Sequence, residues 1–403
     1  MLNISEPAPV RQANSFFNST FELAFRPYFL LASASSVIAL SLWLLVLSGY
    51  VSFSTTGLSA VNWHIHEMLF GYGAAIAVGF ILTAVQTWTG QASISGKPLA
   101  ALVLIWCLIR LAIWLNTSTT VQVAIGLQSL WWLSAIICYG RLVFISKNKR
   151  NYLFVPLLTL LGLANVAMLW ADISDNTDIA LHIGRSAVLL FTILMSIVGG
   201  RVIPFFTVRG ANTAPITTKP VLEWGLLFSS IIAVTSFISS PFIQLPYTPG
   251  TLMILVASLH LIRLSFWRTT ATFAVSLLWS LHIAYLLMAI GLLLLGVSYF
   301  TTAISFSAAL HLITIGGLGL MTLAMMSRVS LGHTGRALDT RKIVNWAFIS
   351  MIAAAISRAV LIYWLSPVTA WTLSALLWLI ATLIFLIVYW PILTSPRQQK
   401  LPY

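Results

Sequence analysis

Twelve stretches of about 20 apolar residues follow one another along this chain, and each is long enough to cross a bilayer as a helix. They fall near residues 27–50, 64–87, 98–116, 121–144, 152–171, 180–203, 221–240, 249–266, 271–297, 303–327, 343–365 and 368–391. Backbone inside hydrocarbon must satisfy its own hydrogen bonds, so the runs predict an all-α polytopic membrane protein of about 12 transmembrane helices. Composition agrees: of 403 residues, 59% are apolar and 7% are charged, where a soluble domain carries about 25% charged residues. The connections are short and rich in turn formers, as in SISGKP, DISDNTD, SSPFIQLPYTPG and SLGHTGR. The expected organisation is a tail over 1–26, a single helical domain over 27–391 and a second tail over 392–403. The first 25 residues are polar and lack a short apolar run with a cleavage site, so an uncleaved cytoplasmic tail is expected.

The net charge of +13 invites a nucleic-acid reading, but the location of the charges decides against one. With the N-terminus inside, inner loops and inner helix ends collect Arg11, Arg26, Lys97, Arg141, Lys147, Lys149, Arg150, Arg201, Arg209, Lys219, Arg263, Arg268, Arg328, Arg336, Arg341, Lys342, Arg397 and Lys400. Those are 18 of the 21 Lys and Arg residues. The outer loops hold none, and Arg110, Arg185 and Arg358 lie within spans. This is the positive-inside pattern of a multi-pass protein of the cytoplasmic membrane, with both termini cytoplasmic and lipid as its surroundings. No nucleic-acid partner is needed. Cys107 and Cys138 sit in apolar runs without a CxxC or CxxCH spacing, so neither a disulfide framework nor covalent haem attachment is indicated.

Ionisable groups inside a membrane are costly and mark functional sites. Six of the seven histidines, His64, His66, His182, His260, His282 and His311, lie in or at spans, and only eight carboxylates exist in the chain. A neutral imidazole is a common metal ligand and suits a low-dielectric interior; a packing histidine bonded to a backbone carbonyl is the bland alternative for any one of them. His64 and His66 open span 2, His182 opens span 6 and His311 lies two turns into span 10, so all four fall in the outer half. His282 is expected near mid-depth, His260 in the inner half and His333 in an inner loop, where it is the weakest ligand candidate. The list spans about 30 Å of depth, too much for one site.

The stretch NWHIHEMLFGYG, residues 62–73, is the sharpest motif. Helical residues two apart point about 200° away from each other, so His64 and His66 cannot face one metal unless the helix starts at or after His66. Glu67, three residues from His64, is placed to orient that imidazole or to sit as a first-turn carboxylate at a helix N-terminus. The glycines of GYG, SIVGG and TIGGLG either let helices pack closely or leave room for a flat macrocycle. Arg110, Arg185 and Arg358 are candidates for pairing with propionates, or with Glu67 and helix carbonyls. Tyr285 and Tyr299 are candidate hydroxyl donors, with packing as the alternative.

Several of these stretches together resemble the NnrS family: FRPYFLLA, NWHIHEMLFGYGAAIAVGFILTAVQTWTG, GGRVIPFFT, LHLIRL, LLWSLHIAYLL and HLITIGGLGLMTLAMMSRVSLGHTGR. That resemblance implies a bacterial inner-membrane protein of nitric-oxide metabolism containing haem b and copper. The histidines expected to hold haem or the neighbouring copper are His64, His66, His182 and His311, with His260 and His282 next as a deeper copper or haem site. The architecture is more loosely similar to haem–copper oxidases and nitric-oxide reductases, in which an H-x-H pair on one helix serves two haems. There the pair is on helix 10 and here it is on span 2, so fold analogy leaves the ligands open.

The resulting expectation is an integral membrane protein that binds nitric oxide and reduces or detoxifies it at histidine-ligated centres, an oxidoreductase fed by a quinol or redox protein. Its rivals are a non-enzymatic haem sensor or quinol-linked electron-transfer protein, and a proton-coupled transporter. The last is disfavoured because the spans show neither an inverted repeat nor paired Gly/Pro breaks.

Overall fold

A computed structural model of the protein describes residues 16–52 and 56–398. After one helical turn at Phe16–Thr20 come twelve helices: α1 Phe25–Leu47, α2 Ala60–Thr89, α3 Gly96–Leu115, α4 Ser118–Ile145, α5 Phe154–Ile173, α6 Thr177–Gly210, α7 Pro220–Ser239, α8 Pro249–Ser265, α9 Ser276–Val297, α10 Phe306–His333, α11 Lys342–Ala359 and α12 Pro367–Leu393. No strand occurs among the described residues. Eleven of the helices have the length and apolarity to cross a membrane. The twelfth, α8, has only 17 residues, a rise of about 25 Å that falls just short of a usual hydrocarbon core.

The expected spans and these helices differ where polar residues hide in a helix. The helix α2 starts at Ala60, four residues before the apolar run that begins at 64, because Asn62 and His64 are helical although polar. His64 and His66 therefore lie inside a helix, and the reading in which helix starts at or after His66 is excluded. Conversely α9 starts at Ser276, five residues after the expected 271, so His282 is only six residues in. It belongs to the inner half with His260, not to mid-depth.

Consecutive helices pack side by side and α12 returns against α1. The chain ends meet: the buried Arg26 donates from Nη1 to the carbonyls of Leu393 (3.3 Å) and Ser395 (2.7 Å). At that same end Gln398 N bonds Thr334 O, Asn148 bonds Trp88 O and Ser276 meets Thr340. Arg11, Lys400 and the outermost parts of both expected tails lie outside the described residues. At the opposite end the Asp172 carboxylate accepts from Ser59 N (2.8 Å) and Asn62 Nδ2 (2.6 Å), tying the start of α2 to α5. Asp172→Ala removes the acceptor of Ser59 N and leaves the buried Asn62 Nδ2 only a longer bond to Thr177 O (3.3 Å), and is expected to destabilise the protein by about 1–3 kcal/mol, read as a lower melting temperature.

The central helices α2, α6 and α10 are the most covered: their most apolar stretches are 78%, 67% and 78% buried, followed by α9 at 61% and by 33–44% for α1, α3, α4, α5, α7, α11 and α12. Leucines 104, 108, 111 and 115 on one side of α3 and Trp224, Trp346 and Trp364 face outward, the apolar rim expected against lipid. The central helices recur every fourth in the chain, and two of them carry His64, His66 and His311.

Candidate metal-binding site

Both central histidine helices change their winding beside their histidines. In α2 the α-helix ends at Ile65 and a π-helical segment, His66–Gly73, runs before α-winding resumes at Ala74. In α10 the α-helix ends at His311 and the π segment is Leu312–Gly319. Such i→i+5 segments are rare and concentrate at functional sites. Their glycines seat neighbouring side chains. A Cβ at Gly71 would lie 2.5 Å from Arg110 Nη1, one at Gly317 3.0 Å from Met288 Cβ, and one at Gly319 2.5 Å from Trp378. In α6, Gly199 and Gly200 face Tyr285 and Arg263. Close packing accounts for these five glycines, whereas Gly73 of the same α2 segment lines a pocket.

His64 and His66 look in different directions. The His64 ring stacks on Trp43 of α1, with centroids 4.5 Å apart and 17° between planes. Neither of its nitrogens makes a hydrogen bond among the described residues. His64 lies within electrostatic reach of His311, and Arg358 within reach of both. His311 donates its Nδ1 proton to Ser307 O at 2.7 Å, which leaves Nε2 as the bare nitrogen. Arg358, the penultimate residue of α11, donates to Ser307 Oγ at 3.0 Å and lies over Trp371. Thus α10 and α11 bring the His311 imidazole and the Arg358 guanidinium together at Ser307, with His64 of α2 within electrostatic reach of both.

His66 faces α3 instead, fully buried. Its Nδ1 proton is donated to Glu67 Oε1 at 3.0 Å. Glu67 also pairs with Arg110 and accepts from Trp114 Nε1 at 2.7 Å, while Arg110 reaches Gln128 Oε1 at 3.4 Å. Glu67 therefore serves His66, not His64 as the three-residue spacing suggested. The π-winding begins at His66, so α-helical spacing does not carry across that point. Arg110 takes the ion-pair role, neutralising a carboxylate that would otherwise be stranded in low dielectric. With Nδ1 held, His66 Nε2 is left buried and without a hydrogen-bond partner. An orphaned buried acceptor is rare enough to require an explanation, and a metal ligand oriented by a carboxylate is one.

The remaining residues do not join this cluster. His182 is half-buried, stacks on Phe237 (4.6 Å) and donates from Nε2 to Ile238 O at 3.3 Å. Arg185 lies over Phe306, which Tyr299 meets edge-on. His282 has both nitrogens engaged, Nε2 with Thr207 (2.8 Å) and Nδ1 with Thr269 (3.0 Å), and has no free lone pair in this arrangement. His333 ends α10 with its ring 5.7 Å from Phe25. Cys107 and Cys138 are free thiols.

In the inner half His260 Nδ1 meets Tyr285 Oη at 2.6 Å, and that hydroxyl also accepts from Arg263 (3.1 Å). Arg263 pairs with Glu223 and donates to Ser196 O. The structure thus assigns Tyr285 to a polar network that sequence reasoning did not assemble. Its signal was the glycine pair of SIVGGR opposite Arg263 of LHLIRL. Gly200→Val, which would intrude on the Arg263 guanidinium, is expected to lower the melting temperature, whereas Gly126→Val, with nothing within 4 Å, is not.

No group of three or more His, Cys, Asp or Glu side chains converges among the described residues. A haem iron needs only one or two axial histidines, which the His64–His311 pair and the bare His66 nitrogen fit. A copper held by three protein ligands does not fit. Comparison with curated proteins finds no match. A protein-family model described as NnrS protein matches residues 19–397. That match covers nearly the whole chain and all twelve helices, so the chain belongs to the NnrS family.

Proposed function

We propose that this membrane protein holds haem iron at two places in the outer half of its helical bundle and binds nitric oxide at one of them. His64 and His311, on the central helices α2 and α10, would hold one haem, and Arg358 beside His311 would balance the negative charge of its propionates. His66 would hold the other through its bare Nε2, with Glu67 fixing its tautomer and Arg110 balancing the carboxylate. The observation that carries this reading is the buried His66 Nε2 without a protein partner. Held by His66 alone, a haem would supply an iron able to bind nitric oxide and exchange electrons. Nitric oxide is small and uncharged, so an apolar surround admits it while excluding ions. Held by both His64 and His311, a haem would supply electron transfer fed by a quinol or redox protein. A reductive or detoxifying turnover is the corresponding activity.

The electron-transfer or sensor reading has the His64–His311 pair in its favour, since two histidines would close an iron to ligands. Purified protein separates these. We expect stoichiometric haem, with the reduced spectrum shifting in part when nitric oxide is added. A six-coordinate spectrum indifferent to nitric oxide removes the catalytic reading, and a protein without bound iron points to a transporter.

A further inference from the structure

A cavity of about 70 Å³ lies between α1, α2, α6 and α10. Gly73, the last residue of the α2 π segment, and Leu318, near the end of the α10 π segment, both line it. Gly73 is seven residues beyond His66, about 10 Å inward along the helix axis.

We propose that this cavity is a binding site for an uncharged apolar molecule of two or three atoms. Its chemistry excludes water. Thr322 is the only lining residue with a polar side chain, and its hydroxyl is already committed, donating toward Leu318 O (2.8 Å) and Gly319 O (2.9 Å) and meeting Tyr72 Oη at 3.0 Å. A buried water needs two to four polar partners, and none remains there. The volume is about half of an apolar cavity that takes benzene or xenon, so a small gas fits. The pocket is partly open, which makes a lipid acyl chain the competing occupant. Three thioethers, Met195, Met321 and Met325, give the walls high polarisability, which strengthens dispersion with an apolar guest. The Tyr72–Thr322 bond ties α2 to α10 beside the cavity and holds its walls apart. The site does not depend on a metal at His66.

Xenon tests it directly. Crystals of the full chain pressurised with xenon are expected to show an anomalous peak between Gly73 and Leu318. Ala77→Leu, which fills the cavity from α2, is expected to abolish that peak, and so is Val198→Phe from α6. Each variant is checked by its melting temperature, and the wild-type result stands if a variant fails to fold. No xenon in the wild-type cavity, ordered water within it, acyl or detergent density occupying it, or a peak that persists in the filled variants overturns the proposal.

Discussion

Glu67→Ala loses about 3–5 kcal/mol of stability, the range for stripping one partner from a buried ion pair. Three donors point at this carboxylate: His66 Nδ1, the Arg110 guanidinium and Trp114 Nε1. Arg110 is 2% exposed, and its other polar contact, to Gln128 at 3.4 Å, is too long to replace a charge partner. Glu67→Gln keeps an acceptor oxygen but loses the charge, and is expected to fall between wild type and alanine. The diagnostic variant is Glu67→Ala/Arg110→Leu. Removing both charges recovers much of the loss if the pair is the cause, because neither charge is then left unpaired in the interior. Thermal unfolding of the four proteins in one detergent gives the cycle. Equal melting temperatures for wild type and Glu67→Ala would mean that this buried pair is not formed.

His66→Ala is expected to abolish the response to nitric oxide while leaving the signal of the six-coordinate iron, and His311→Ala to do the reverse. The two side chains lie on different helices, α2 and α10, and share no hydrogen-bond partner, so their effects are separable. His282→Ala is the control. It breaks bonds to Thr207 and Thr269 and is expected to cost about 1–3 kcal/mol of stability with haem content unchanged. Haem content per polypeptide and reduced spectra with and without nitric oxide read all three. Unchanged haem and spectra in both His66→Ala and His311→Ala would refute the ligand assignment.

The helices were legible because length in hydrocarbon is a one-dimensional constraint: an apolar run of about 20 residues has no other stable form. The boundaries failed where that criterion is blind. Asn62 and His64 are polar, so the apolar run began late, yet Asp172 on a distant helix caps Asn62 and lets α2 start at Ala60. The opposed directions of His64 and His66 followed from helical spacing alone. The partner of Glu67 did not, because the spacing argument assumed α-winding and the chain turns π at His66. Hydropathy carries no signal for that change. Nothing in the sequence set Arg358 apart from Arg110 and Arg185, and it reaches Ser307 beside His311 only through the packing of α11 on α10. The Glu223–Arg263–Tyr285–His260 network joins residues up to 62 positions apart, and only the folded bundle brings them together.

The central claim is that the two histidines of NWHIHEM serve separate iron centres. Anomalous diffraction from the purified protein, recorded on either side of the iron absorption edge, tests it most directly. The expected map has one iron between His64 and His311 and a second at His66 Nε2. Iron bound away from these histidines, or a single iron shared by His64 and His66, would contradict it.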